Sequence, residues 1–415
     1  MLVVELPPPT VTVGLVGKTN VGKTTFFSAA TLIDAKIENR PFVTISPNVG
    51  IAYVRKRCAH VDLGLPHCNP RNSICIKGNR FIPVKLYDVA GLIRDAHKGR
   101  GLGNKFMDDL RQADVLLHIV DMAGETDEEG NPVKPGHYDP LEEIESIEFE
   151  VDEWFYSIIS RDWDRFSRGL DTVPWDEVVA RIVKRVSGLS IRREHVIEAL
   201  RDAKLEGTKP GSWKEGELRL FSKRLREKAK PMIIVANKMD VPEAEDNFKR
   251  VLSVLGDRRL VVPVSALYEL ALRKATKSGL IDYLPGDREF HVVDESKLTT
   301  KQKQALEKIE AFMRKYGGTG VQSSLNAAVF DVLKMLVVYP VENITKLSDK
   351  DGNVLPDAYL VRQGTTALEL AEMVHTELAK GFIAAYIVNK NKRVGADYIV
   401  ADGDVIKIVS ATARG

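Results

Sequence analysis

Gly17-Lys18-Thr19-Asn20-Val21-Gly22-Lys23-Thr24 follows a short apolar run, Val11–Val16, and opens residues 22–33, which read as a helix. The pattern G-x-x-x-x-G-K-[ST] in a strand-to-helix turn is built to hold phosphate. Small residues let successive backbone N–H groups wrap a β-phosphate at the positive end of the helix dipole. Asn20, Val21, Gly22, Lys23, Thr24 and Thr25 are therefore expected to bind nucleotide. Lys23 reaches the β- and γ-phosphates, which makes it an expected catalytic residue, and the Thr24 hydroxyl suits Mg²⁺. A glycine-rich turn without a ligand is the bland alternative, and the flanking strand and helix argue against it.

Three further motifs follow in order. Asp88-Val-Ala-Gly91 ends a later apolar run, Phe81–Tyr87, and fits D-x-x-G. Asp88 is expected to hold Mg²⁺ through water, and the Gly91 N–H to meet a γ-phosphate. Asn237-Lys238-Met239-Asp240 follows the run Met232–Ala236 and fits N-K-x-D. The Asp240 carboxylate accepts from both guanine N1–H and the exocyclic amine, a match that adenine lacks. Asn237 supports the base edge and the loop, and the Lys238 stem covers the ring. Ser265-Ala266-Leu267 follows the next run, Leu260–Val264, and offers the Ala266 N–H to guanine O6. Thr44, in the loop before Gly50–Val54, is placed to put a second hydroxyl on Mg²⁺ from a mobile switch segment.

Short buried runs that alternate with helical stretches predict an α/β fold with a doubly wound parallel sheet. The rhythm breaks between Asp121 and Pro231, where about 110 residues carry helical periodicity instead. Leu141, Ile144, Ile147, Val151, Trp154 and Ile158 form one apolar stripe, which Asp139 caps and Pro140 begins. We read residues 1–122 and 231–336 as two parts of one domain, with a helical insertion at 123–230 and a small α+β module at 337–415. The insertion is split in charge. Residues 125–177 hold 17 acidic and 4 basic side chains, a net −13, and residues 178–230 hold 7 and 15, a net +8. That split reads either as solvated helix faces or as a surface whose basic half meets RNA or an acidic partner.

The whole chain of 415 residues balances 60 Lys+Arg against 58 Asp+Glu, a net charge of +2. This argues against coating nucleic acid by bulk charge. No apolar stretch approaches a membrane span, and the N-terminus lacks the pattern of a signal peptide. Cys58, Cys68 and Cys75 are an odd, clustered set that makes no disulfide framework, so a reducing cytoplasm is expected. Together with His60 and His67 these thiols suggest either a zinc site or a hairpin extension with buried thiols. The usual C-x₂₋₄-C pairs are missing.

The four ordered motifs indicate a Ras-like P-loop GTPase core. Asp88-Val-Ala-Gly-Leu-Ile-Arg-Asp-Ala-His-Lys-Gly-Arg-Gly-Leu-Gly103 and Arg40-Pro-Phe-Val-Thr-Ile-Ser-Pro-Asn-Val-Gly50 resemble the Obg family. Leu355-Pro-Asp-Ala, Gly364-Thr-Thr-Ala and Asp402-Gly-Asp-Val-Ile-Lys-Ile408 resemble a TGS domain, a β-grasp module. Together they resemble the Obg-like, YchF-type branch in its archaeal version. The resemblance implies a switch that hydrolyses GTP to GDP and phosphate and is linked to the ribosome and translation. It also implies the alternatives of an RNA- or ribosome-binding module with vestigial hydrolysis, or of an ATPase, since some relatives with an altered N-K-x-D prefer ATP. Here Asp240 is intact, so GTP is expected.

Leu92 stands where a Ras-type GTPase has its water-orienting Gln, and the Obg family likewise has a hydrophobic residue there. Hydrolysis must then use another group. The resemblance points to His97 as the second catalytic residue, against the reading of a surface loop histidine. Asn20 falls where related GTPases coordinate K⁺, or it simply shapes the turn. The expected cofactors are thus Mg²⁺ and possible K⁺, and the expected partners are GTP/GDP and a ribosome or RNA, with no membrane.

Overall fold

The computed structural model describes residues 11–32, 48–89 and 110–411. Strand β1 (Thr12–Val16) leads through the phosphate-loop sequence into helix α1 (Lys23–Thr31). Strand β2 (Val49–Arg57), a short helix α2 (Ala59–Asp62), strand β3 (Ile74–Ile76) and strand β4 (Asn79–Asp88) follow, then β5 (Val115–Asp121). Five helices come next: α3 (Pro140–Ser160), α4 (Trp163–Arg168), α5 (Trp175–Arg185), α6 (Arg193–Asp202) and α7 (Glu215–Ala229). The chain then returns to the sheet with β6 (Met232–Asn237), α8 (Ala244–Leu255), β7 (Val261–Pro263) and α9 (Ala266–Lys277).

The sheet runs β2-β4-β1-β5-β6-β7, with β3 beside β4. Strands β4, β1, β5, β6 and β7 are parallel. The edge is antiparallel, because β2 and β3 both run against β4. Every residue of β5 is buried, as a central parallel strand covered on both faces requires. Its side chains alternate. Leu117 and Ile119 join Phe26, Val235 and Ala266 on one face, and Leu116 packs with Val16, Ile147 and Val151 of the insertion on the other. β1 lies between β4 and β5, so the turn after β1 opens at a topological switch point, where α/β sheets hold ligands.

Helix α3 starts where its sequence signals place it: Asp139 Oδ1 accepts from the Leu141 N–H at 2.9 Å, with Pro140 at the first position. The insertion core stacks Trp163 on Trp213 at 5.4 Å between ring centroids, and Trp213 on Phe221 at 5.4 Å. Part of its charge split is paired between the two halves. Asp152 of α3 pairs with Arg226 at 2.6 Å and Lys223 at 3.7 Å of α7, while Glu153 meets Arg219 at 2.5 Å. Arg226 is fully buried. The basic half thus spends part of its charge on the acidic half.

A small hairpin, β8 (Ile281–Asp282) and β9 (His291–Val292), precedes α10 (Thr300–Tyr316) and α11 (Val321–Asn326). The C-terminal module is built from β10 (Met335–Pro340), β11 (Tyr359–Arg362), α12 (Ala367–Val374), α13 (Thr376–Lys380), β12 (Phe382–Ile387), β13 (Lys392–Val394) and β14 (Val405–Ser410). Its sheet runs β11-β10-β14-β12-β13, with β10 and β14 parallel. A single helix over 366–380 is the simplest reading of the sequence, but extended backbone at His375 divides it. His375 Nδ1 caps the second piece, accepting from the Glu377 N–H at 3.2 Å. One face of this sheet is covered by α12 through Ala367 and Leu370. The other, carrying Val337 and Tyr339, joins the same core as Ile82 and Val84 of β4. Among the described residues no helix is long and apolar enough to cross a membrane.

Candidate nucleotide-binding site

The turn after β1 carries positive φ at Asn20 (64°) and at Gly22 (98°), the residue that begins α1. Lys23 folds back across this turn. Its Nζ donates to the Gly17 carbonyl at 3.0 Å and the Lys18 carbonyl at 2.6 Å. Burial pushes its pKa down to about 8, against the opposing pull of Asp88 and Glu143. The Thr24 hydroxyl donates to Asp88 Oδ2 at 3.1 Å. Burial raises the Asp88 carboxyl, against its hydrogen bond from Thr24 and the charge of Lys23. A cleft of about 400 Å³ is lined by Thr19, Asn20, Lys23, Thr24, Thr25 and Asp88, among others. A hydroxyl and a carboxylate side by side form a hard-oxygen donor set that fits Mg²⁺. Thr44, Gly91, Leu92 and His97 lie outside the described residues.

The second end of the site hangs on one buried amide. Asn237 Nδ2 donates to the Val21 carbonyl at 2.8 Å, and Asn237 Oδ1 accepts from the Ala266 N–H at 3.1 Å. Three sequence motifs are thereby joined by one side chain. The sequence reading aims the Ala266 N–H at a base. In this structure that N–H is given to Asn237. Ser265 Oγ caps α9 by accepting from the Tyr268 N–H at 3.2 Å. Lys238, at φ 61°, sends its ammonium to Asp121 Oδ2 at 3.0 Å and Glu125 Oε1 at 2.9 Å, which fixes the course of its stem. Asp240 is half-buried.

Sequence motifs do not disclose the contact that ties the insertion to the phosphate loop. The Lys18 Nζ, buried, donates to the Thr126 carbonyl at 2.7 Å and pairs with Glu143 at 2.9 Å. It also sits 4.0 Å from the centroid of the Tyr138 ring. Burial pushes the Glu143 carboxyl up to about 7, with Lys18 pulling against it. Asn20 Nδ2 donates to the Gly130 carbonyl at 2.9 Å, so the amide that suggested K⁺ is tied by its nitrogen to the insertion's entry loop. A Cβ on Gly130 would stand 2.7 Å from Thr19 Cβ, so only glycine allows this approach. Glu143 gave no signal of its own, since an acid in a helix's first turn is ordinary.

Residues 12–154 match the model of a 50S ribosome-binding GTPase. Residues 235–343 match an Obg-like GTPase YGR210-like, G4 motif-containing domain, and residues 349–410 match a TGS domain. An uncharacterized GTP-binding protein of Methanocaldococcus jannaschii is 49% identical over 96% of this chain and 99% of its own. The ribosome-binding ATPase YchF of Bacillus subtilis is 25% identical over 95% of this chain and 98% of its own. The crystal structure of a GTP binding protein from Pyrococcus horikoshii OT3 superposes with a TM-score of 0.76 at 36% identity, covering 97% of this chain and 100% of that one.

Proposed function

This chain belongs to the YchF- and Obg-like family of P-loop GTP-binding proteins, and from that premise we propose that it is a GTP-selective switch that hydrolyses GTP to GDP and phosphate. The observation that carries the selectivity is the intact Asn237-Lys238-Met239-Asp240 loop, fixed by Asn237 to both Val21 and Ala266. Relatives bear names of both kinds, GTP-binding protein and ATPase. The Asp240 carboxylate decides for guanine, because an adenine edge offers its two acceptor oxygens no matching pair of donors. A panel of labelled nucleotides tests this: GTP and GDP bind at least about 100-fold tighter than ATP. ATP binding as tight as GTP binding sinks the proposal.

The chemistry is phosphoryl transfer to water, helped by positioning and charge. Lys23 exchanges the loop carbonyls of Gly17 and Lys18 for phosphate oxygens, a short move for an ammonium already inside the turn. Thr24, Asp88 and Thr44 would hold Mg²⁺, which neutralises charge on the phosphate oxygens. His97 supplies the role that Leu92 cannot, and wild-type turnover in His97→Ala would remove it. Asn20 Oδ1 is the group through which K⁺ would act, and equal rates in KCl and NaCl would exclude that ion.

A second reading concerns what the switch serves: a nucleotide-gated contact with the ribosome in the cytoplasm. The descriptions of the matched family model and of the Bacillus relative support it. The seat of the β-grasp sheet supports it too, since Val337 and Tyr339 share a core with β4, the strand that ends at Asp88. Three cysteines with no disulfide between them suit a reducing compartment. Co-sedimentation with ribosomes in GTP, GDP and no nucleotide separates the readings, and binding that ignores nucleotide defeats the gate.

A further inference from the structure

Between β2 and β4 the chain makes an excursion over residues 58–78, of which only β3 pairs in the sheet, against β4. The excursion has no separate core: Ala59 and Ile74 are buried, and Leu63 and Leu65 pack, in cores built mainly by other elements. Yet it holds the C-terminal module in place. The Asn69 N–H donates to the Val354 carbonyl at 2.8 Å and the Arg71 N–H to the Pro356 carbonyl at 2.6 Å. Asn72 bonds the Ala358 backbone twice, at 3.1 and 2.9 Å, and Arg71 pairs with Asp357 at 3.0 Å. A segment of this size with no core of its own gains order from further anchors.

The same excursion gathers Cys58, His60, Cys68 and Cys75. Their four ligand atoms all lie within 4.8 Å of one another. Cys58 Sγ and Cys68 Sγ are 3.8 Å apart, and His60 Nδ1 is 3.4 Å from Cys68 Sγ and 3.5 Å from Cys75 Sγ. Zn–S bonds of about 2.3 Å and Zn–N bonds of about 2.0–2.1 Å at tetrahedral angles require S···S near 3.8 Å and S···N near 3.5 Å. The Cys58–Cys68 and the two His60–thiol separations have those lengths, and all pairs lie within 4.8 Å. A sulfur pair at 3.8 Å is no disulfide. His67, which the sequence placed in the same group, is exposed and stays outside it.

An independent observation comes from charge. Arg80 is fully buried, with 0% of its surface exposed. It is the register partner of Cys75 across β3 and β4, so the two side chains share a face. Its Nη1 donates to Ser73 Oγ at 3.2 Å and its Nη2 to the Leu355 carbonyl at 2.6 Å. Among the described residues no carboxylate forms an ion pair with it. A buried cation without a counter-charge is costly. Three thiolates and a histidine around Zn²⁺ carry one net negative charge, which supplies the missing partner.

We propose that Cys58, His60, Cys68 and Cys75 bind one structural Zn²⁺, with Arg80 as its buried counter-charge, and that this metal orders the clasp joining the sheet to the C-terminal module. All four positions are protein ligands, so the site is closed and structural in kind. The ligands Cys68 and Cys75 bracket Asn69, Arg71 and Asn72, the residues that grip the C-terminal module.

The test uses the full chain, purified without chelator and with no histidine tag. Elemental analysis should find about one zinc per chain, falling at least about tenfold in Cys68→Ser and in Cys75→Ser and unchanged in His67→Ala. Because a serine variant can fail to fold, wild-type protein is also stripped under reducing conditions and titrated with Co²⁺. Strong visible bands of tetrahedral cobalt with thiolate charge transfer are expected, and zinc should erase them. Under about 0.1 zinc per chain with no cobalt bands overturns the proposal, as does zinc that survives loss of both Cys68 and Cys75.

Discussion

A Cβ built on Gly22 would stand 2.3 Å from Nδ2 of Asn237. The glycine that starts α1 is therefore held to that identity twice, by its φ of 98° and by the amide packed against it. Gly22→Ala must both strain the turn and displace Asn237 from the Val21 carbonyl. A side chain at positive φ costs about 1–3 kcal/mol and a lost buried hydrogen bond about 1 kcal/mol. Guanine-nucleotide affinity is expected to fall roughly 100-fold with the far-UV circular dichroism unchanged. Wild-type affinity in that variant would show that the loop yields freely.

Asp240→Asn separates base recognition from loop architecture, since the residue holds no phosphate. Replacing a carboxylate that pairs with two guanine donors loses charge-assisted bonds worth about 1.5–3 kcal/mol, so GTP should bind roughly 10- to 100-fold more weakly. Xanthine carries a carbonyl in place of the guanine amine, and the new Asn amide can donate to it. Competition binding should show xanthosine triphosphate gaining where GTP loses. Equal losses for both nucleotides would mean that Asp240 supports the loop and does not read the base.

Much of this site was legible because its parts are contiguous in sequence. Gly17–Thr24 and Asn237–Asp240 each follow a buried strand, so spacing alone places them at one end of the sheet. The capping signals at Asp139 and Thr366 likewise name their helix starts. Long-range side-chain pairing was not legible. Lys18 finds Glu143, and Asp152 finds Arg226, across stretches with no periodic relation between the partners. The antiparallel edge was hidden for a similar reason, since a buried run looks the same whichever way its neighbour points. The histidine that joins the cysteines was ambiguous in spacing, and only the folded hairpin chooses His60 over His67.

Lys23 gives the protein a pH response with a definite sign. Its pKa is lowered from 10.5 to about 8 by burial, and bound phosphates favour its charged form. Below pH 8 the lysine is already protonated and contributes no pH dependence to binding. Above pH 8 a proton must be taken up with the nucleotide, so Kd should rise by up to about tenfold per pH unit. Titrations between pH 7 and about 9 read this before the guanine ring itself ionises. Lys23→Arg, charged throughout, should remove the slope even if it binds weakly. Without nucleotide the sign reverses for folding. The native state binds fewer protons than the unfolded chain between about 8 and 10.5, so this group adds stability as pH rises through that window.

The buried pair of Lys18 and Glu143 predicts an asymmetric mutant cycle. Glu143→Gln leaves the Lys18 ammonium buried with the Thr126 carbonyl and no countercharge. At pH 8, where the Glu143 carboxyl is ionised, removing one partner of a buried ion pair costs about 3–5 kcal/mol, which lowers the melting temperature by several degrees, and at pH 6 the cost is smaller. Lys18→Met leaves Glu143 alone, but that carboxyl already sits near 7 and rises further without the lysine. It is then tolerated as the neutral acid, so this variant should lose little at pH 6 and more at pH 8. The double variant Lys18→Met/Glu143→Leu removes both charges and should recover most of the loss at either pH. Thermal unfolding of the four proteins at both pH values gives the coupling. Additive losses would mean that the pair does not hold the insertion to the phosphate loop, whereas coupling, with weaker GTP binding in both single variants, marks the contact through which the helical insertion senses the nucleotide.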